Sequence, residues 1–390
     1  MALSTLSIPS VASKQPIPES TDRSELDSGS NDPRAAEYMR RALALAQQGW
    51  GQTAPNPMVG AVVVRDGAVV GEGYHARYGE GHAEVAALKA AGDRARGSTM
   101  YITLEPCNHF GKTPPCTEAI LEARVQRVVI AAADPTALAG GGARHLAGYG
   151  VQVDFSVGES AARELNAPFF FAAGNSARPW ITLKLALSSD DRMNDPSGKR
   201  KWITNEVSRK EVQRLRANVD AIAVGVGTVR ADDPQLTARG AIRPRVAPMR
   251  VVFDRTAEMP LESRLVRTAK QTPTVVFAHH PPVARLAALH NAGVEVFEAE
   301  DLPGALEALR GFEVHHLMVE GGARVAGDFL RHDLVDRLVI FQSPITLGAD
   351  ALSPFAGLPG NFRESLASKP IVRRAEFGED VMTEYALREA

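Results

Sequence analysis

The chain has 390 residues, which is too long for one ordinary domain and predicts two domains that each bury a core of their own. Its formal net charge of −2 gives no reason to expect a nucleic acid as a partner. No apolar run approaches the ~20 residues that span a bilayer, so we expect no membrane-spanning segment.

Residues 1–33 are rich in serine, proline and acidic residues and lack hydrophobic periodicity, so we predict a disordered tail. The alternative is a transit peptide. The first twenty-two residues contain no arginine and already include Glu19 and Asp22, which argues against that alternative.

The first regular element is a helix that begins near Pro33, with Asp32 as its N-cap. Tyr38, Ala42 and Leu45 then share one face. An apolar face of this kind predicts a helix that covers a sheet.

The segments that follow predict this sheet. Two strands flank Asp66-Gly67, a pair typical of a β-hairpin turn. The predicted elements are strands at 59–65 and 68–74, a helix that opens at His82, a strand at 100–105, a helix at 118–123 and a strand at 127–132. Strands that alternate with helices indicate a sheet covered on its faces, an α/β/α sandwich.

The stretch from His82 to Cys116 gathers the residue types that hold zinc. It contains the only two cysteines of the chain, Cys107 and Cys116, and eight residues separate them. Zinc favours a mixture of imidazole and thiolate, and three protein ligands leave the fourth tetrahedral position to water. Zinc acidifies that water to a pKa of roughly 7, and Glu84 is placed to move its proton. The stretch therefore predicts a catalytic zinc site with His82, Cys107 and Cys116 as ligands.

The alternatives for this stretch are a closed structural zinc site and two buried thiols. A closed site needs a fourth ligand, which His75 or His109 could supply. H-A-E at 82–84, the long P-C to T-P-P-C loop at 106–116 and N-P-M-V-G at 56–60 resemble the deaminase half of the bifunctional riboflavin-biosynthesis deaminase–reductase family. The resemblance implies a cytidine-deaminase-like sandwich.

Asn56 is the residue that we expect to read the pyrimidine, because an amide offers both a donor and an acceptor to a base edge. The alternative is that Asn56 and Pro57 only form a turn. The resemblance also implies that His75 contacts the substrate. His109 and Lys112, inside the zinc loop (residues 107–116), would meet a ribose phosphate or else remain solvated.

A small, polar linker at 172–179 separates two predicted domains, a deaminase domain at 34–171 and a reductase domain at 180–390. The reductase half of the same family is similar, in order and spacing, to the strand from Trp180 and to the segments 201–204, 212–217, 221–229 and 231–239. The resemblance implies NADPH as the cofactor and a dihydrofolate-reductase-like α/β fold.

Two glycine pairs follow predicted strands in this domain, Gly225 with Gly227 and Gly321 with Gly322. Glycines lack a β-carbon and so let backbone N–H groups approach a phosphate. Neither pair is a full nucleotide-binding fingerprint, and ordinary turn glycines are the alternative for each. The resemblance implies further cofactor residues, which are Lys184, Ala186, Trp202, Thr228 and Asp232.

Arg216 and Arg239 are candidates for the 5′-phosphate of the substrate, because planar guanidinium groups match phosphate oxygens. Lys184 and Glu320 stand at the ends of predicted strands, where α/β sheets build their clefts. The resemblance implies three further substrate residues, Arg200, Leu236 and Glu320. In the reductase half, three positions depart from the family pattern: Asp191 replaces a glycine, Arg200 a serine and Arg255 a small polar residue.

We therefore expect a bifunctional enzyme of riboflavin biosynthesis. Its first domain would hydrolytically deaminate a 2,5-diamino-6-ribosylaminopyrimidinone 5′-phosphate, and its second would reduce the ribosyl group to a ribityl chain. One alternative is a paralogue in a specialised pathway, such as that of an azapteridine antibiotic, whose reductase is altered or inactive. The other is a deaminase with a structural or ligand-sensing second domain.

The expected cofactors are zinc and NADPH. The expected partners are the small pyrimidine ribotide and further copies of the chain in a homo-oligomer, without nucleic acid or membrane. No cysteine is left for a disulfide bond, and a metal–thiolate site needs a reducing environment, so we expect the cytoplasm.

Overall fold

The computed structural model describes residues 34–155, 157–194 and 202–389. The predicted tail at 1–33, which includes Asp32 and Pro33, lies outside these residues, and so does Arg200. In the described part of the chain, no helix combines the length and the hydrophobicity that crossing a membrane requires.

The described strands of the N-terminal half are β1 Gly60–Arg65, β2 Ala68–Tyr74, β3 Thr99–Leu104, β4 Arg127–Ala132 and β5 Gln152–Phe155. They form one sheet in the order β2-β1-β3-β4-β5. β1 is antiparallel to β2 and β3, whereas β3, β4 and β5 are parallel. Asp66 and Gly67, between β1 and β2, have φ of 51° and 74°. A tight hairpin turn requires positive φ at both positions, so the predicted hairpin is confirmed.

Helices cover both faces of this sheet. They are α1 Ala35–Ala46, α2 Ala83–Ala91, α3 Cys116–Glu122, α4 Gly142–Gly148, α5 Glu159–Leu165 and α6 Ala167–Ala173. On one face, strand residues such as Val63 and Ile102 pack against α2, α3 and α4. On the other, Val62 and Tyr101 pack against α1, α5 and α6. Neighbouring strand residues point to opposite faces, so the strands are buried on both sides and the predicted α/β/α sandwich is confirmed.

The start of α1 differs from the prediction. The helix begins at Ala35, with Arg34 as its N-cap residue and without a side-chain capping hydrogen bond. The Arg34 guanidinium instead donates to the Gly67 carbonyl, 3.0 Å away in the hairpin turn. The Arg34 side chain therefore contacts the turn between β1 and β2 and does not cap the helix. Tyr38 and Ala42 are buried, and Leu45 is half-buried.

The C-terminal half contains a larger sheet. Its described strands are β6 Trp180–Leu187, β7 Ala221–Gly225, β8 Met249–Phe253, β9 Thr274–Ala278, β10 Glu295–Glu298, β11 His316–Val319, β12 Arg337–Gln342, β13 Ile371–Phe377 and β14 Asp380–Ala386. Their order is β10-β9-β8-β7-β11-β6-β12-β14-β13. Pairs from β10 to β12 are parallel, and β14 is antiparallel to β12 and β13.

Helices also accompany the second sheet. They are α7 Glu206–Arg216, α8 Val226–Asp232, α9 Arg264–Arg267, α10 Val283–Asn291, α11 Leu302–Gly311, α12 Ala323–Arg331 and α13 Phe362–Ser365. Short 3-10 helices occur at Gln47–Gly49, Gly92–Ala95 and Leu366–Ser368. Strand residues Ala221 and Ile222 belong to separate apolar cores on the two faces. The predicted α/β class is therefore confirmed for both halves.

The order of the central strands decides where the second site forms. β11 lies between β7 and β6, although both precede it in the chain by a long stretch. All three are parallel, so their carboxyl ends meet at one edge of the sheet. Open α/β sheets bind ligands at such an edge, where the strand order reverses.

Candidate active sites

The three predicted zinc ligands converge. His82 is the N-cap residue of α2, Cys107 follows β3, and Cys116 is the first residue of α3. Their ligand atoms all lie within 4.8 Å of one another, and His82 Nδ1 is 3.6 Å from Cys107 Sγ and 3.3 Å from Cys116 Sγ. Within the described residues, no other cluster of potential metal ligands of this kind occurs.

The donor set fits a zinc ion. Both thiols are free and buried. Hydrogen bonds from the Cys116 thiol and from His82 lower the pKa of Cys107, which favours the thiolate that a metal binds. His75 and His109 do not belong to the cluster. Three ligands without a fourth leave one tetrahedral position open, as in a catalytic zinc site rather than a closed structural one.

Glu84 lies next to this cluster in the first turn of α2. Its side chain is buried, and its Oε2 atom has no hydrogen-bond partner among the described residues. Burial raises the pKa of Glu84 to about 7. A carboxyl group with a pKa near neutrality can both accept and donate a proton, which suits the predicted proton-transfer role.

Asn56 and His75 form a pair beside the cluster. His75 Nδ1 lies 3.4 Å from the Gly81 carbonyl, and Asn56 Nδ2 lies 3.4 Å from His75 Nε2. Burial lowers the pKa of His75, so its ring is neutral, with Nδ1 protonated and Nε2 accepting from Asn56. The His75 ring packs edge-on against His82, with 5.2 Å between ring centroids. The Asn56 amide is thereby oriented by a ring that also contacts a metal ligand.

The zinc loop carries the two candidates for a ribose phosphate. His109 Nδ1 is buried without a hydrogen-bond partner in the described residues. Lys112 Nζ lies 4.2 Å from the ring centroid of Tyr78. No acidic side chain of the described residues forms an ion pair with Lys112, so its charge is free to meet an anion.

Glu105 anchors the site, and the sequence reasoning missed it. Its carboxylate accepts hydrogen bonds from the backbone N–H groups of Asp134, Gly141 and Ala143, at 3.1, 3.0 and 2.9 Å. These bonds connect the loop after β4 to the end of β3. Only Pro106 separates Glu105 from the predicted zinc ligand Cys107. An acidic residue directly before Pro106 was the available signal, but its partners are distant in sequence.

A cleft of about 2050 Å³ lies at the carboxyl edge of the second sheet. Every predicted cofactor and substrate residue of the second half that the structure describes lines this cleft. They come from β6, β7, α7, α8, the segments before α7 and after α8, and the loop after β11. Sequence segments that are far apart are thus brought to one site.

Glu320 organises the charges in the cleft. Its carboxylate accepts from Arg216 Nη2 at 3.0 Å and forms an ion pair with Lys184 Nζ at 3.0 Å. Burial alone would raise the pKa of Glu320, but the two cations hold that pKa at about 2. Arg239 has no ion pair in the described part of the chain, and burial together with Arg216 and Arg264 lowers its pKa. Arg239 is therefore the guanidinium that is better placed to receive an anion.

Two protein-family models match the chain, one in each half. The model of the cytidine and deoxycytidylate deaminase zinc-binding region matches residues 33–132, and that of the RibD C-terminal domain matches residues 179–370. The riboflavin biosynthesis protein RibD of Aquifex aeolicus is 44% identical over 314 residues, which are 80% of this chain and 87% of that protein. That of Escherichia coli is 39% identical over 354 residues, which are 85% of this chain and 93% of that protein.

The chain belongs to the RibD family. Acinetobacter baumannii RibD superimposes with a TM-score of 0.78 at 34% identity and covers 90% of this chain and 98% of its own. The diaminohydroxyphosphoribosylaminopyrimidine deaminase/5-amino-6-(5-phosphoribosylamino)uracil reductase of Thermotoga maritima gives a TM-score of 0.77 at 32% identity, with the same coverage. The chain is thus a deaminase and reductase of riboflavin biosynthesis with zinc and NADPH as cofactors. Neither alternative function is favoured.

Two of the glycines predicted for this RibD chain have a packing reason. A β-carbon at Gly225 would lie 2.6 Å from Val325 Cγ2, and one at Gly321 would lie 2.9 Å from Val325 Cβ. These glycines let α12 approach the end of β7. Gly227 has no atom within 4 Å of its β-carbon position, so it faces open space in the cleft.

Other residues of the cleft differ in what their side chains offer. Leu236 lines the cleft but is only 1% exposed, and it packs in the apolar core of this half. Trp202 is 58% exposed, with the Arg209 guanidinium 5.1 Å from its ring centroid. Asp191 has a φ of 57°, a conformation that glycine favours and that aspartate tolerates better than most residues. Its side chain accepts from Arg363 at 3.1 Å, outside the cleft. Arg255 is exposed at the cleft rim.

Proposed function

We propose that this RibD chain deaminates 2,5-diamino-6-ribosylaminopyrimidinone 5′-phosphate and then reduces the ribosyl group of the product to a ribityl chain. The first step rests on the convergence of His82, Cys107 and Cys116 beside Glu84, which is buried and whose Oε2 atom has no hydrogen-bond partner in the described part of the chain. The name of the Thermotoga maritima relative supports the choice of substrate. Asn56 and His75 would hold the pyrimidine, and Lys112 the phosphate.

In the deaminase site, His82, Cys107 and Cys116 would hold the zinc ion. Zinc, when bound, supplies the Lewis acidity that makes a water molecule acidic at neutral pH. Glu84 accepts a proton from the attacking water and donates it to the exocyclic amine, which leaves as ammonia while the water oxygen stays on the pyrimidine carbon. Its burial keeps that carboxyl group in contact with the reacting atoms and away from bulk water.

In the reductase cleft, NADPH, when bound, would supply the hydride that C1′ of the opened ribosyl group takes up, and the nitrogen of the former C=N bond would take a proton from solvent. The open space at Gly227 lets the cofactor approach the backbone, and Arg239 would bind the 5′-phosphate. Glu320 holds Arg216 and Lys184 in place, so these two cations would act on the ligand only from fixed positions.

Product analysis of the full-length protein tests the function. With the diaminopyrimidine ribotide alone, we expect the deaminated ribosylamino product and ammonia to accumulate. With NADPH added, we expect the ribityl product and stoichiometric NADPH oxidation. Saturable NADPH binding without oxidation in the presence of deaminated ribotide would show that the second half does not catalyse the reduction.

Arg239→Ala should mainly raise KM for the deaminated ribotide, roughly tenfold, because a charge-assisted hydrogen bond to a phosphate is lost in ground and transition states alike. kcat for reduction should change little, since the phosphate is remote from hydride transfer. Steady-state NADPH oxidation measures both constants. Arg267→Ala is the matched control, because it removes an exposed arginine of α9 that does not line the cleft. An unchanged KM in Arg239→Ala contradicts the phosphate assignment.

We propose a reducing, cytoplasmic compartment, which the two free thiols of the metal cluster support. The homo-oligomer, the absence of nucleic acid among the partners and the domain boundaries at 34–171 and 180–390 stay predictions. Sedimentation of the purified protein would measure the oligomeric state.

A further inference from the structure

Residues 50–56 form a loop of the deaminase half that lies against the reductase half; we call it the interdomain loop. It precedes β1 and ends at Asn56. The loop donates three hydrogen bonds to the other half: Trp50 Nε1 to the Arg214 carbonyl at 2.8 Å, Gly51 N to Asn218 Oδ1 at 2.9 Å and Gln52 Nε2 to the Arg243 carbonyl at 2.7 Å. The loop is thus attached to the end of α7 and to the segment before β8.

Arg245, in the segment before β8, makes two hydrogen bonds with the loop. Its backbone N–H donates to the Gly51 carbonyl at 2.8 Å, and its Nη2 donates to the Ala54 carbonyl at 2.6 Å. Its guanidinium also lies 4.8 Å from the ring centroid of Tyr78, which belongs to the deaminase half. One reductase side chain therefore bridges two deaminase segments.

The approach of the two halves is close at Gly51. Its φ is +73°, and a β-carbon there would lie 2.5 Å from the Ala217 carbonyl oxygen, at the end of α7. Only glycine fits this position without a shift of the backbone. The interdomain loop is therefore fitted to the reductase surface through its backbone and not only through long side chains.

The opposite side of the interdomain loop faces the deaminase site. Its last residue, Asn56, contacts His75, and the Gln52 carbonyl accepts from Tyr78 N at 3.1 Å. The same Tyr78 ring carries Lys112 of the zinc loop at 4.2 Å. A shift of the loop would move the Asn56 amide directly and would release Tyr78 from beneath Lys112.

The geometry points to Arg245 as a positioning residue for deamination that the reductase half supplies. It holds the interdomain loop in the shape that presents Asn56 to the pyrimidine. Because the loop is already ordered, substrate binding does not carry the conformational-entropy cost of ordering it. Arg245 does not line the reductase cleft, so reduction does not depend on it. The inference rests on the proposed role of Asn56 and deepens it, since it makes the deaminase site incomplete without the second half.

Full-length Arg245→Ala tests this inference. For deamination of the diaminopyrimidine ribotide we expect KM to rise roughly tenfold, because a charged donor to the loop is lost, while kcat and zinc content stay unchanged. KM and kcat for reduction of the deaminated ribotide should not change. Arg245→Lys, which keeps one charged donor, should recover part of the deaminase KM.

Arg243→Ala is the matched control. It removes the same charge two positions away, but Arg243 contacts the interdomain loop through its backbone carbonyl, which the substitution keeps. We expect wild-type KM for this variant. An equal rise in both variants would mean a general charge effect and would overturn the inference, as would an unchanged KM in Arg245→Ala or a fall in kcat with loss of zinc.

Asn56→Ala separates this inference from the function on which it rests. We expect its deaminase KM to rise as well. If it does not, the role of Asn56 is wrong; a raised KM in Arg245→Ala would then still support positioning of the deaminase site through the interdomain loop and Tyr78. If Asn56→Ala alone raises KM, Arg245 has no positioning role.

Discussion

Glu84→Gln is expected to lower kcat for deamination by ~10²–10⁴-fold, the range typical of a lost general acid–base group. Glutamine has nearly the shape of glutamate but cannot accept the proton of the attacking water or pass it to the leaving amine. Glu84 lies outside the ligand cluster, so zinc should stay bound. Ammonia release under saturating substrate and metal analysis of the same sample measure the two effects.

Two controls belong to the Glu84 experiment. The reductase activity of the variant should equal that of the wild type, which shows that the chain is folded. Glu118→Gln makes the same chemical change at an exposed acid in the first turn of the neighbouring helix α3 and should deaminate normally. If zinc content falls in step with activity in Glu84→Gln, Glu84 is a ligand and the proton-transfer role is wrong.

Cys116→Ala is expected to abolish both zinc binding and deamination. The wild-type chain should carry one zinc, held by His82 and the two thiols. The chain has no other cysteine that could replace the lost thiolate, and two ligands are too few for a stable site. Metal analysis after dialysis against a weak chelator, with ammonia release as the activity assay, checks the prediction.

The buried position of Cys116 requires a packing control, since its side chain is fully inaccessible to solvent. Ile120→Val shortens another fully buried side chain of α3 without touching a ligand, and it should keep zinc and deamination. Reductase activity again reports on folding. Stoichiometric zinc in purified Cys116→Ala would refute the ligand assignment.

The sequence by itself determined the features that depend on neighbouring residues or on residue type. Asp66-Gly67 specified a hairpin because its two positive φ angles are a local requirement. His82, Cys107 and Cys116 were identifiable as a ligand set because few other roles need an imidazole and both thiols of a chain in one short stretch. Alternating apolar strands and helices likewise indicated the α/β class, since burial on both faces leaves a periodic pattern.

Only the tertiary structure decided which residues that are distant in the sequence form ion pairs or pack against each other. The sequence suggested Arg216 as a phosphate ligand, but strand order places Glu320 beside it and occupies its guanidinium. A side chain at Gly225 or Gly321 would collide with Val325, so the packing of Val325 requires both glycines. Glu105 accepts a hydrogen bond from Gly141 and so anchors a loop that is distant in the sequence. The interdomain loop and Arg245 are far apart in the sequence: Ala54 and Arg245 are separated by 191 positions. Such contacts form only when the two halves of the chain meet, and no local pattern of residues encodes them.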